Sequence, residues 1–176
     1  MTETFEKNGY TITLEPDQDA PAPDQYGESA VFIVTTRNRY FQVKGPNGET
    51  ADTIGDDLEK WEETHNVYKL NALIHSGVHL SIVSDLKEYY MGFDSGQIGF
   101  VLVTKGGFEI PHPFEFAKGL VDEWNMYLSG DVWNYVIEDE NGETIDSLCG
   151  MYGFEYAKET ALEAVPDEKG PVSTGA

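Results

Sequence analysis

The run Ile98-Gly99-Phe100-Val101-Leu102-Val103 is apolar at successive positions, so a strand there needs cover on both of its faces. Such a strand cannot lie on a surface. Gln97–Thr104 is therefore expected as an inner strand of a sheet with further layers on each side. Other strand signals surround it. Gly9–Leu14 alternates, with Tyr10, Ile12 and Leu14 pointing inward; Ala30–Thr35 and Tyr40–Lys44 also read as strands, and Val67–Ile74 and Val78–Val83 are apolar runs that suggest two more. Turn chemistry separates them: Pro16 and the proline-containing loop Asp17–Glu28, then Arg37-Asn38-Arg39, Gly45-Pro46-Asn47-Gly48 and Ser76-Gly77. Val132–Ile137 and Thr144–Met151 flank Glu140-Asn141-Gly142-Glu143, and Asn-Gly between alternating apolar segments predicts a hairpin.

Helical periodicity is scarcer. Asp56–His65 places Leu58, Trp61 and His65 on one face, with Asp56 and Asp57 where a helix dipole favours anions. Pro113–Ser129 repeats Phe116, Leu120, Trp124, Tyr127 and Leu128 at three- and four-residue steps, and Gly130 ends it. Glu155–Val165 reads as a last helix. No βαβ repeat is visible, so the expectation is one α+β domain over residues 1–165, a mostly antiparallel sheet with two or three helices, and a flexible tail at 166–176.

The chain has 32 Asp and Glu against 11 Lys and Arg, a formal charge of −21 on 176 residues. With 12% aromatic residues it is too rich in apolar surface for a disordered acidic chain, so the acid coats a folded body. Its field repels nucleic acid and anionic membranes and attracts basic surfaces. The partner expected is a basic protein, with no direct nucleic acid and no membrane among its ligands. No stretch approaches the ~18 apolar residues of a membrane helix. Met1–Asn8 lacks the apolar core of a secretory signal, and the single cysteine, Cys149, forms no internal disulfide, which together favour a reducing cytoplasm. An acidic coat also serves salt adaptation, so a structural or salt-adapted interaction protein is one alternative.

A second alternative is an enzyme or small-molecule binder near His75, His79, Asp94 and Ser95. His75 and His79 have ligand spacing, but Gly77 interrupts them and no third histidine completes a metal set. Asp94-Ser95-Gly96 has turn chemistry and no paired base. Cys149 is expected to be a buried, inert thiol, and Gly106-Gly107 lacks the Lys-Ser/Thr ending of a phosphate loop. No catalytic residue, metal or cofactor is therefore expected. Two acidic groups stand out instead. Asp56, Asp57, Glu59, Glu62 and Glu63 face Lys60 alone as a local counter-charge, although like charges three or four apart destabilise a helix. Glu138, Asp139, Glu140, Glu143 and Asp146 crowd the predicted hairpin tip, where like charges across strands are again unfavourable. Both are the candidate partner-binding residues, because carboxylates can occupy a phosphate-binding cleft by displacing the same counterions.

His75-Ser76-Gly77-Val78-His79-Leu80-Ser81, Phe93-Asp94-Ser95-Gly96-Gln97-Ile98-Gly99-Phe100-Val101, Leu128-Ser129-Gly130-Asp131-Val132-Trp133-Asn134-Tyr135 and Asp146-Ser147-Leu148-Cys149-Gly150-Met151-Tyr152-Gly153 resemble a pattern in small uncharacterised proteins of phages and mobile elements. The likeness spans roughly residues 67 to 164, and Phe93 stands where the pattern commonly has Trp. It implies no activity, only a genetic setting. In that setting small acidic proteins often block host restriction or CRISPR nucleases. The combined expectation is a phage-encoded inhibitor of a host defence nuclease, an anti-CRISPR or anti-restriction DNA mimic that occupies a basic nucleic-acid groove.

Overall fold

The computed structural model describes residues 1–23, 30–38, 41–83, 95–107 and 110–167. Part of the Asp17–Glu28 loop, Arg39 and Tyr40, Asp94, and the tail from 168 onward lie outside the described residues. The described elements are β1 (Glu3–Lys7), β2 (Tyr10–Pro16), β3 (Val31–Thr35), α1 (Ala51–Gly55), α2 (Leu58–Thr64), β4 (His65–Ile74), β5 (Val78–Val83), β6 (Ser95–Thr104), α3 (Pro113–Ser129), β7 (Val132–Glu138), β8 (Thr144–Tyr152) and α4 (Phe154–Ala164). The fold is α+β with two antiparallel sheets, as the strand and helix signals require. Its contacts gather into two compact units: an inserted unit, Ala22–Ser129, and a terminal unit, Met1–Pro21 with Gly130–Ala176.

In the inserted unit the strand order is β3-β6-β4-β5, so β6 is an inner strand. On one face Ile33, Leu70, Leu80, Val101 and Val103 pack against Ala117, Leu120, Val121 and Trp124 of α3. On the other, Phe32, Val34, Val67, Phe100 and Leu102 pack against Ile54, Leu58 and Trp61 of α1 and α2. The doubly apolar run is thus covered twice. Gly99 is required by backbone proximity: a Cβ there would lie 1.8 Å from the Val34 carbonyl oxygen of β3.

Three expectations are corrected in this unit. The single helix Asp56–His65 is two short ones, because Thr50 caps an earlier turn by accepting from the Thr53 amide (3.3 Å), Ile54 is fully buried, and His65 already belongs to β4. Phe41–Lys44 is no strand. There Val43 meets Thr35 by one backbone bond of 2.9 Å, and the Thr35 hydroxyl accepts the Val43 amide (2.9 Å) where a ladder carbonyl would. The buried stripe of α3 is Ala117, Leu120, Val121 and Trp124, leaving Phe116 46% exposed.

In the terminal unit the order is β1-β2-β7-β8. Tyr10, Ile12 and Leu14 point inward as expected and meet Tyr135, Ile137, Met151 and the small faces Ala157 and Ala161 of α4. β1 is a strand without a sequence signal, because Phe5 is its one apolar position that packs on this core. Its turn is a signal the sequence analysis passed over: Asn8 and Gly9 take φ of 52° and 83°, the paired positive values of a two-residue hairpin between Lys7 and Tyr10.

Candidate docking surfaces

The two acidic groups fall in different units. In the inserted unit Asp56 and Asp57 are cap positions at the break between α1 and α2 rather than helix residues. Asp56, Asp57, Glu59 and Glu63 are exposed and Glu62 is half-buried. Asp57 lies 4.0 Å from Lys60, and the Glu62 carbonyl accepts from the Lys105 ammonium (2.6 Å).

In the terminal unit the second group occupies the β7–β8 hairpin, closed by the predicted Asn-Gly, with Gly142 at φ 78°. Its members differ in what they do. The Asp139 carboxylate accepts from the amides of Asn141 (2.8 Å) and Glu143 (2.9 Å), which holds its pKa below the usual carboxylate range. Asp146 accepts from the Tyr135 hydroxyl (2.8 Å) and the Ser147 amide (2.9 Å). Burial, followed by that hydrogen bond and the carboxylate charge, pushes the Tyr135 phenol up to about 12. Glu138, Glu140 and Glu143 accept no hydrogen bond through their side chains among the described residues.

The same division runs through the unit. Asp17 accepts from the Gly150 amide (3.0 Å), and Asp131 accepts from the Trp133 indole (2.7 Å) and the Phe154 amide (3.1 Å). Asp17, Asp131, Asp139 and Asp146 therefore pin backbone here, while Glu140 and Glu143 stand exposed. Sequence reasoning overlooked Glu155, Glu159 and Glu163, which stand exposed at four-residue spacing along α4. That spacing was the signal. Compensation is scarce: Lys7 donates to the Leu162 carbonyl (2.6 Å) and Lys158 sits 4.6 Å over the Phe5 ring. Among the described residues the ion pairs within 4.0 Å, Lys60–Asp57 and Lys118–Asp122, both lie in the inserted unit.

His75 and His79 are exposed at the β4–β5 turn, and Asp94 and the Ser95 side chain lie outside the described residues. No group of three His, Cys, Asp or Glu side chains that could hold a metal gathers among the described residues. Cys149 is exposed, not buried, because it belongs to a stretch of β8 that no layer covers. No helix of the described residues is long and apolar enough to cross a membrane.

Several segments behind the phage-protein resemblance have structural work. Gly99 admits β3, Gly130 takes φ 76° where α3 ends, Asp131 ties β7 to the start of α4, and Gly150 and Gly153 take φ of 73° and 92° at a strand irregularity and a helix start. Compared with known proteins, the chain matches no family model, no curated protein and no solved structure.

Proposed function

We propose that the protein is a non-enzymatic acidic inhibitor that seats carboxylates in the basic, nucleic-acid-holding groove of a host defence nuclease. The observation that carries this reading is the distribution of charge. The terminal unit has sixteen acidic residues against three lysines, a balance of −13, whereas the inserted unit has sixteen against eight basic residues, a balance of −8. A field concentrated in this way steers a cationic groove toward one part of the chain, which uniform solubilising charge would not do. The phage setting implied by the sequence resemblance supplies the class of target.

The test is DNA cleavage by a panel of purified CRISPR effectors and restriction nucleases. Stoichiometric protein should abolish cleavage by its target at low salt. Inhibition should weaken steeply as salt rises through the range where the Debye length falls to about 8 Å, and also when Glu138, Glu140 and Glu143 are changed to Gln. No inhibition across the panel, or inhibition indifferent to both changes, overturns the reading.

A further inference from the structure

The β7–β8 hairpin carries more than charge. Every residue from Thr144 to Cys149 is exposed, so this part of β8 has neither face buried, whereas a half-covered strand would alternate. Ile145 is 42% and Leu148 48% exposed, the one pair of exposed large apolar residues sharing an element among those described. α4 covers Met151 at the base of the strand and stops short of them. The arm is nonetheless held in shape: Asp139 organises the turn through two amides, and Asp146 ties the Tyr135 hydroxyl to the Ser147 amide. Adding a partner strand to its free edge is disfavoured, since the register shifts against β7 at Ile137/Glu138 and Trp133/Tyr135 bend β8 on either side of Ser147, whose amide is already taken by Asp146.

Resting on the reading above, we infer that this hairpin is an apolar-anchored docking arm for a basic protein surface. Leu148, which stands opposite Tyr135, and Ile145, which the Ile137/Glu138 register shift leaves without a cross-strand partner, supply its apolar contacts, and Glu138, Glu140 and Glu143 meet cations around them. Charge complementarity selects the occupant: three uncommitted carboxylates flank the anchors in a unit with sixteen acids and three lysines, which excludes a second copy of the chain. The carboxylates set the rate of encounter and its salt dependence, and the buried apolar pair sets residence time. Little ordering is needed on binding, because the aspartates already fix the arm.

The test uses the full chain and two cationic peptides of equal length and charge, one alternating Lys with Leu and one alternating Lys with Ser, followed by backbone amide NMR at low salt. The Lys/Leu peptide should bind more tightly and shift amides 143–149. The double variant Ile145→Thr, Leu148→Thr should weaken it roughly tenfold while leaving the Lys/Ser peptide unchanged. Threonine keeps strand propensity at two exposed sites, and an unchanged Tm confirms that the variant folds. Equal binding of both peptides, with shifts spread over all acidic faces, overturns the arm and leaves the groove-filling reading standing. Binding of neither peptide at low salt overturns both.

Discussion

Tyr135 is 4% exposed, and its phenol holds a proton up to about 12 because burial and the Asp146 carboxylate both disfavour the phenolate. The unfolded chain releases that proton near 10, so the contribution to stability is whole below pH 10 and drains away as pH climbs toward 12. Tyr135→Phe should cost about 1 kcal/mol at pH 8, and the gap to wild type in urea denaturation should narrow by pH 11. His65 runs the other way. Burial lowers its pKa, with Lys105 in the same sense and Glu49 and the Trp61 carbonyl opposing, so the fold prefers the neutral ring and loses stability as pH drops below 6.5. Gly99→Ala would drive a methyl group into the Val34 carbonyl, and a loss of about 3 kcal/mol in thermal denaturation is expected. A glycine inside an apolar run is legible as a close approach, but which backbone approaches is a long-range fact that no local pattern carries. The same holds for Asp146: its charge was readable, its bond to Tyr135 was not.

Among the described residues β5 ends its sheet, and the side chain of Asn125 on α3 takes the place of the missing neighbour. It accepts from the Leu80 amide (2.7 Å) and donates to the Leu80 carbonyl (2.9 Å). Asn125→Ala should cost about 1–3 kcal/mol by orphaning both groups, and it should raise aggregation in light scattering by opening the edge. At α4 the cap residue Gly153 has no side chain to offer, so Asp131 reaches from beyond the helix to the Phe154 amide. Asp131→Ala should lower stability by about 1 kcal/mol, measured by denaturant titration of the circular dichroism. Elements with strong periodicity or turn chemistry, β2, β6, α3, α4 and the β7–β8 hairpin, were legible because local residues determine them. β1 and α1 were not, since each contributes a single large apolar side chain to its core, Phe5 and Ile54, and is held by packing rather than pattern.

Charge belongs to the molecule as a whole, and its uneven division has a measurable result. Self-repulsion is strongest where sixteen carboxylates face three lysines, so raising salt from low to physiological ionic strength should slow hydrogen exchange in β1, β2, β7 and β8 more than in β3 to β6. Equal slowing in both units would mean that the balance of each unit does not govern its stability. Composition gave the total, but its partition depended on knowing that the first and last parts of the chain join one unit. That joining also dictates a schedule. β2 pairs with β7, and the whole inserted unit must leave the ribosome between them, which at 5–20 residues per second takes about 5–20 s. The β1–β2 ribbon therefore waits, half-made, while the segment born after it finishes first, and the most anionic part of the protein is the last to exist.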